Sequence, residues 1–274
     1  SHAYIRPEGG GLMVGLFEPE PAAWSLDEPI PRDASFLSLD PDMDRIAPFL
    51  EKAIARVPAA EGAGMKTLFC GPESFTPDGG PVLGEAPELP GYYVAAGMNS
   101  IGILTGGGVG ALMAKWVLAG GERPADLDVT GVQIDRFQSY QTNTEYRGAR
   151  CEETLSKVYA CHYPTVQPKT GRGVKRSPLH AALHSAGAVW RDVSGWEGAE
   201  YYAGDAAAAE AAAAAKVDTF GRPACWAQWE AEHIAVRERA ALIDMSFMAK
   251  FLVQGADAKR LLNWCATADV SEEG

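Results

Sequence analysis

A mixed α+β fold, laid out as several modules along one chain, follows from three observations. Short apolar strands and runs of helical periodicity follow one another along the chain. Hydrophobic residues make up 47% and charged residues 22% of the 274 positions, the balance of a core-forming protein. The texture of the sequence also changes twice, at Asp126 and across the alanine-rich stretch Asp205 to Lys216. A chain of this length holds one large domain or parts of two or three.

The first element is a hairpin, with Ala3-Tyr4-Ile5-Arg6 as a strand, Pro7-Glu8-Gly9-Gly10 as its turn and Gly11 to Gly15 as the partner. A hairpin with nothing ahead of it to cover it raises the expectation of further polypeptide upstream. Met43 to Ala55 spaces Ile46, Phe49, Leu50 and Ile54 as a helix, with Asp40 as its expected cap. Cys70-Gly71-Pro72-Glu73-Ser74-Phe75-Thr76-Pro77-Asp78-Gly79 is turn chemistry, proline presetting φ and Asp-Gly closing a bend. Tyr92 to Ala96 is a short apolar strand that runs into the loop Gly97-Met98-Asn99-Ser100-Ile101-Gly102. A helix from Ile103 to Ala119 follows, ended by Gly120-Gly121. Beyond Asp126 the segments Leu127 to Val129 and Phe137 to Tyr140 are short, and Cys151 to Cys161 is expected as an amphipathic helix. Pro178 opens a further helix reaching about Ser185. Asp205 to Lys216, with nine alanines and one glutamate, has high helix propensity and little to pack with, which suggests a weakly anchored surface helix or linker. Phe220 to Pro223 begins the last module: a helix from about Ala224 to Ala241, a strand Phe251 to Val253 and a helix Asp257 to Cys265. The chain then stops with that module barely begun, so it is expected to be interrupted at both ends.

Charge narrows the partners. A net charge of -12 and a pI near 4.9 argue against nucleic acid and anionic membrane surfaces. No membrane span is expected, because the longest apolar run, Ile101 to Ala119, is diluted by five glycines and carries Lys115. Ser1-His2-Ala3 does not open a signal peptide. The five cysteines are dispersed without a CxxC pair, which fits a reducing compartment better than a disulfide framework or zinc site.

Few residues carry candidate chemistry. Gly97-x-Asn99-x-x-Gly102 lacks the middle glycine of a dinucleotide fingerprint, and no βαβ unit surrounds it. A strand, an open loop and a helix start do aim several backbone N–H groups at one place, where an electron-rich ligand atom can be held. A plain strand-to-helix turn explains the same residues. Tyr4 and Arg6 share one strand face, where a tyrosine suits an amine and an arginine a carboxylate, or where both simply pack. Glu73 and Asp78 belong to turn chemistry, Asp78 as a turn former. His180 and His184, four apart on a helix, lack a third ligand and are expected to pack. Cys161-His162 are sequence neighbours that do not face each other on a helix. Lys169 to Arg176, the one basic cluster, suits an anion or a solvated loop.

Nearly the whole chain resembles the sarcosine and dimethylglycine dehydrogenase family, in three consecutive parts. The first part carries Tyr4-Ile5-Arg6-Pro7-Glu8-Gly9-Gly10, Gly71 to Asp78 and Gly97 to Ile103, and is similar to the closing portion of a D-amino-acid-oxidase-like FAD domain. The second carries Tyr159-Ala160-Cys161-His162-Tyr163-Pro164, Arg172 to Leu179 and Gly195-Trp196-Glu197, and resembles the small central α/β domain. The third carries Glu232-His233-x-Ala235-Val236-Arg237-Glu238, Asp244-Met245-Ser246 and Lys250 to Gly255, and resembles the opening of a glycine-cleavage T-protein domain. The implied domains are 1–126, 127–203, an alanine-rich linker 204–219, and 220–274.

That resemblance implies a parent enzyme that oxidises a small N-methyl amine on FAD and passes the one-carbon unit to tetrahydrofolate, in the cytoplasm or mitochondrial matrix. It implies that Gly97, Met98, Asn99, Ser100, Ile101, Gly102 and Ile103 lie along the flavin edge, their amides stabilising charge on the reduced pyrimidine. It makes Tyr4 the catalytic residue that orients the amine and Arg6 the substrate-binding residue, and it assigns no metal. Related monomeric oxidases place a carboxylate-binding lysine where this chain has Leu104. A catalytically silent homologue, like the regulatory subunit of pyruvate dehydrogenase phosphatase, would show the same modules. The resemblance leaves the electron acceptor and oligomeric state open.

Overall fold

The computed structural model describes residues 2–24 and 28–270, a mixed α+β chain whose sheets are all two-stranded and antiparallel. It divides into two units. One holds the residues up to Val174 with Val217–Pro223; the other holds Lys175–Lys216 with the residues from Ala224 on.

In the first unit, β1 (His2–Glu8) and β2 (Gly11–Phe17) form the opening hairpin. The turn is Gly9-Gly10, both at positive φ, and Pro7 lies inside β1 opposite Leu12 instead of in the turn. A two-stranded hairpin has only edge strands, so a proline without an N–H is tolerated there. Helix α1 (Met43–Arg56) is capped by Asp42, whose carboxylate accepts the Arg45 amide at 3.0 Å. The expected cap, Asp40, stands too far ahead: a capping side chain reaches only two or three residues forward.

Strands β3 (Val82–Glu85) and β4 (Tyr93–Ala96) pair next, and α2 (Gly102–Leu118) follows β4 through a 3₁₀ turn, Asn99–Ile101. Helix α2 stops where expected. The amides of Gly120 and Gly121, both at positive φ, bond back to the carbonyls of Val117 and Trp116. Trp116 anchors the helix to the hairpin at 3% exposure, beside Leu83 at 1%. Its ring lies over Gly84, where a Cβ would stand 2.8 Å from Cη2, so only glycine permits this approach. The rest of α2 is largely uncovered, Ile103, Leu104 and Leu118 being strongly exposed. By length and composition alone Asn99–Leu118 is apolar enough to cross a membrane, its glycines notwithstanding. This corrects the expectation that no stretch of the chain qualifies.

Helix α3 (Thr144–Val158) begins seven residues before the expected start, because Asn143 caps it through the Tyr146 amide at 3.0 Å. Its polar first turns hide that start from a periodicity reading. Short 3₁₀ turns at Ile134–Arg136 and Ser139–Thr142 precede it.

The second unit is built on a hairpin that the sequence reading passed over, β5 (Ala188–Val193) and β6 (Trp196–Tyr202), turning at Ser194-Gly195. Helix α4 (His180–Ser185) precedes it, and α5 (Ala206–Ala214) is the alanine-rich stretch. That stretch is anchored, not loose. Ala209 is buried against Val189 and Tyr201, with Ala203, Ala212, Cys225 and Trp229 packed around them. Asp205 caps the helix through the Ala208 amide at 2.8 Å. Methyl side chains let a helix lie close on a sheet, so alanine supplies here the packing that its small size hides in the sequence. Helices α6 (Trp226–Glu238) and α7 (Ala258–Cys265) complete the unit. The expected strand Phe251 to Val253 does not form among the described residues, and Phe251 and Leu252 are exposed. A strand exists only with a partner ladder, and none lies beside it.

Candidate functional site

The loop between β4 and α2 is shaped by two residues in the left-handed region, Gly97 at φ 67° and Asn99 at φ 44°. At Gly97 a Cβ would stand 2.8 Å from the Thr76 methyl carbon, so both φ and space demand glycine. Gly102 is different. Its φ of -57° is ordinary helix, and a Cβ there would meet only Met98 Cβ at 3.3 Å.

Asn99 earns its strained backbone through its side chain. Nδ2 donates to the Gly79 carbonyl at 3.0 Å, and Oδ1 accepts the Ile101 amide at 3.3 Å. Ser100 Oγ donates to Glu73 Oε2 at 2.6 Å. Neither the 3₁₀ turn nor α2 has an N-cap side-chain hydrogen bond. The Ile101 and Gly102 amides are taken by Asn99 Oδ1 and the Asn99 carbonyl. It is therefore the amides of Met98 to Ser100 that present the positive end of the helix dipole at the loop. Beside them Ile103 and Leu104 form an apolar rim. The Met98 to Ser100 amides beside these exposed apolar side chains suit one side of an electron-rich ring, the arrangement that a flavin edge would need. The nearby Glu73 carboxylate is held by Ser100 and faces the same loop.

The loop rests on the turn Thr76 to Gly80. Asp78 closes this turn as the sequence anticipates, its Oδ1 accepting the Gly80 amide at 3.1 Å, while Thr76 Oγ1 donates to the Gly80 carbonyl at 2.7 Å. What sequence reasoning missed is Arg136, 58 residues on, which binds Asp78 in a two-pronged pair at 2.7 and 3.0 Å. Burial raises the Asp78 carboxyl pKa, but the Arg136 hydrogen bonds and charge outweigh it and the net shift is downward. An arginine in a short polar stretch leaves no local signal of so distant a partner. Helix α3 holds the same turn from another side. Thr154 Oγ1 lies 3.1 Å from the Thr76 carbonyl, and Cys151 Sγ donates to that of Phe75 at 3.2 Å. Burial pushes the Cys151 thiol up to about 11, so it is a packing group and not a nucleophile.

Tyr4 and Arg6 sit on β1, and their recorded contacts stay within the hairpin. The Tyr4 ring lies across Gly15, where any Cβ would collide with it, and stands 6.4 Å from the Phe17 ring, which stacks in turn on Tyr159 at 4.2 Å. Arg6 pairs with Glu8 at 2.9 Å, both exposed. No described contact joins this pair to the Gly97–Ile103 loop.

The remaining candidates have structural partners. His180 stacks on Trp190 at 4.1 Å, and burial first, then the Arg176 charge, pushes its pKa down. The His162 ring lies 2.8 Å from the Lys157 carbonyl. At the basic cluster, the Lys169 and Thr170 amides bind the Glu153 carboxylate, which also pairs with Lys157. Burial raises the Glu153 pKa, yet the bonds from Lys157, Thr170 and the two amides overcome this and bring it to about 2. Among the described residues no three His, Cys, Asp or Glu side chains gather as a metal site.

Comparison with known proteins places three family segments in series: FAD dependent oxidoreductase over residues 1–116, FAD dependent oxidoreductase central domain over 124–177, and GCVT N-terminal domain over 179–274. The chain is 40% identical over 270 residues to a 4-methylaminobutanoate oxidase (formaldehyde-forming) of Paenarthrobacter nicotinovorans, covering 98% of this chain and 32% of that protein. It is 35% identical over 288 residues to human mitochondrial sarcosine dehydrogenase, covering 98% and 31%. It is 32% identical over 251 residues to the mouse mitochondrial pyruvate dehydrogenase phosphatase regulatory subunit, covering 90% and 27%. The chain thus spans about a third of the length of the curated relatives it matches.

Proposed function

The chain belongs to the sarcosine and dimethylglycine dehydrogenase family of FAD-dependent amine oxidoreductases, and we propose that it forms part of a polypeptide that oxidatively demethylates an N-methyl amine such as sarcosine or dimethylglycine. The one-carbon unit would pass to tetrahydrofolate at the aminomethyltransferase-like module, in the cytoplasm or the mitochondrial matrix. The observation that carries this reading is the uncapped strand–loop–helix junction at Gly97–Ile103, inside the segment similar to FAD dependent oxidoreductases.

FAD, when bound, supplies the two-electron acceptor for the N-methyl C–H bond. The amides of Met98, Asn99 and Ser100 hold the electron-rich edge of the ring by hydrogen bonding, and the start of α2 adds its helix dipole. The Ile101 and Gly102 amides stay on Asn99 and fix the shape of the loop. Gly97 lets the backbone turn there without a side chain. Tyr4 orients the amine through its hydroxyl, and Arg6 exchanges its exposed pairing with Glu8 for the substrate carboxylate. The division at 126, 203 and 219 belongs to the same proposal; the similarity segments change at 116–124 and at 177–179.

A second reading, a silent regulatory homologue, is supported by the 32% identity to the phosphatase regulatory subunit. Anaerobic mixing of the polypeptide, extended to the relatives' length, with a panel of N-methyl amines separates the two. Bleaching of bound flavin, with the carbon recovered on tetrahydrofolate, is the expected result. Stoichiometric flavin that no amine reduces, or no flavin at all, would favour the regulatory reading.

A further inference from the structure

Arg136 lies in the segment similar to the central domain, yet every donor on its guanidinium is committed, and most of them to the turn that carries the candidate loop. Nε and Nη2 bind the two Asp78 oxygens at 2.7 and 3.0 Å, and Nη2 also donates to the Gly80 carbonyl at 3.0 Å. Nη1 donates to the carbonyls of Val132 and Gln133 at 2.9 and 3.1 Å. The five N–H groups thus make five bonds, with the guanidinium carbon 4.0 Å from the centre of the Phe137 ring and the side chain only 10% exposed. The Val132 carbonyl also takes the Leu83 amide at 2.9 Å, which ties the same node to β3.

The turn Thr76 to Gly80 touches the loop at two points. The Gly79 carbonyl holds the Asn99 side chain, and the Thr76 methyl lies under Gly97. Asn99 in turn receives the Ile101 amide on its side chain and the Gly102 amide on its carbonyl. We infer that Arg136 is a positioning residue for the Gly97–Ile103 loop, acting through Asp78 and Gly80 and setting the aim of its amides from a different family segment. This inference about geometry stands apart from the flavin assignment; its consequence for the flavin rests on the proposed function. Lysine cannot replace arginine here, since an ammonium offers no planar fork to bridge Asp78, the Gly80 carbonyl and the Val132–Gln133 carbonyls together.

The test is amide hydrogen exchange on the 274-residue chain, comparing wild type with Arg136→Gln, Arg136→Lys and Asp78→Asn. Exchange at Ile101 and Gly102 should quicken roughly tenfold or more in Arg136→Gln and in Asp78→Asn, and by less in Arg136→Lys. The double variant Arg136→Gln/Asp78→Asn should be no worse than either single change, because both cut one path. The β1–β2 hairpin should keep its wild-type exchange. Unchanged exchange at Ile101 and Gly102, or an equal rise throughout β1–β2, would overturn the inference, the second because it marks general destabilisation. In the extended, flavin-loaded polypeptide, Arg136→Gln should also lower the flavin reduction potential. A loosened loop with an unmoved potential would leave Arg136 as the positioning residue and refute the flavin-edge assignment instead.

Discussion

Replacing Gly97 by alanine tests the loop geometry most directly. Two separate costs follow from the structure. The backbone sits at φ 67°, and an L-residue with a Cβ loses roughly 1–2 kcal/mol in the left-handed region. The new Cβ would also stand 2.8 Å from the Thr76 methyl carbon, and because Thr76 is buried at 7% exposure it has little room to yield. Overpacking of this kind adds about 1–3 kcal/mol, so Gly97→Ala should cost about 2–5 kcal/mol in all. Thr76→Ser separates the two terms. It removes the methyl, at about 0.8 kcal/mol for one buried carbon, and keeps the hydroxyl that donates to the Gly80 carbonyl. The double variant should therefore be less destabilised than the sum of the singles by about 1 kcal/mol or more, while the φ cost persists. Native-state hydrogen exchange of the β3 and β4 amides measures each corner of the cycle. Strict additivity, or a Gly97→Ala chain as stable as wild type, would refute the geometry assigned to the loop.

Other expectations are as specific. In the extended polypeptide Tyr4→Phe should lower kcat roughly tenfold or more with flavin content unchanged; unaltered kcat and KM would make Tyr4 a packing residue on Gly15 and Phe17. Glu153, with its folded pKa near 2, is ionised in both states above the ordinary carboxylate range and contributes its stability there. That contribution fades as the pH falls toward 2, so acid titration of stability should be shallower in Glu153→Gln than in wild type; identical profiles would count against the Lys157–Lys169–Thr170 clasp. Ala209→Leu should destabilise the second unit by about 1–3 kcal/mol in a urea melt, whereas leucine at the exposed Ala207 should not; equal tolerance at both would return α5 to a loose surface helix.

Sequence alone determined what depends on neighbours along the chain. The Gly9-Gly10 hairpin, the stop of α2 at Gly120-Gly121, the Asp78 turn and the strand–loop–helix order at Gly97–Ile103 are local chemistry. They were legible because the residues that make each feature lie within a few positions of one another. The three similarity segments were legible for the same reason, as contiguous runs. Contacts across long sequence separations left no such trace. Arg136 reaches Asp78 across 58 residues and Thr154 reaches Thr76 across 78, and nothing in either sequence stretch announces the other. Which of two glycines bears the constraint also depended on φ and on the Thr76 methyl; periodicity treats Gly97 and Gly102 alike. The alanines of α5 read as inert until Val189 and Tyr201 lay against Ala209, and Phe251 to Val253 read as a strand although no ladder stood beside it. Propensity is a property of a segment, whereas burial and pairing belong to two segments at once, and only the folded chain brings both to the same place.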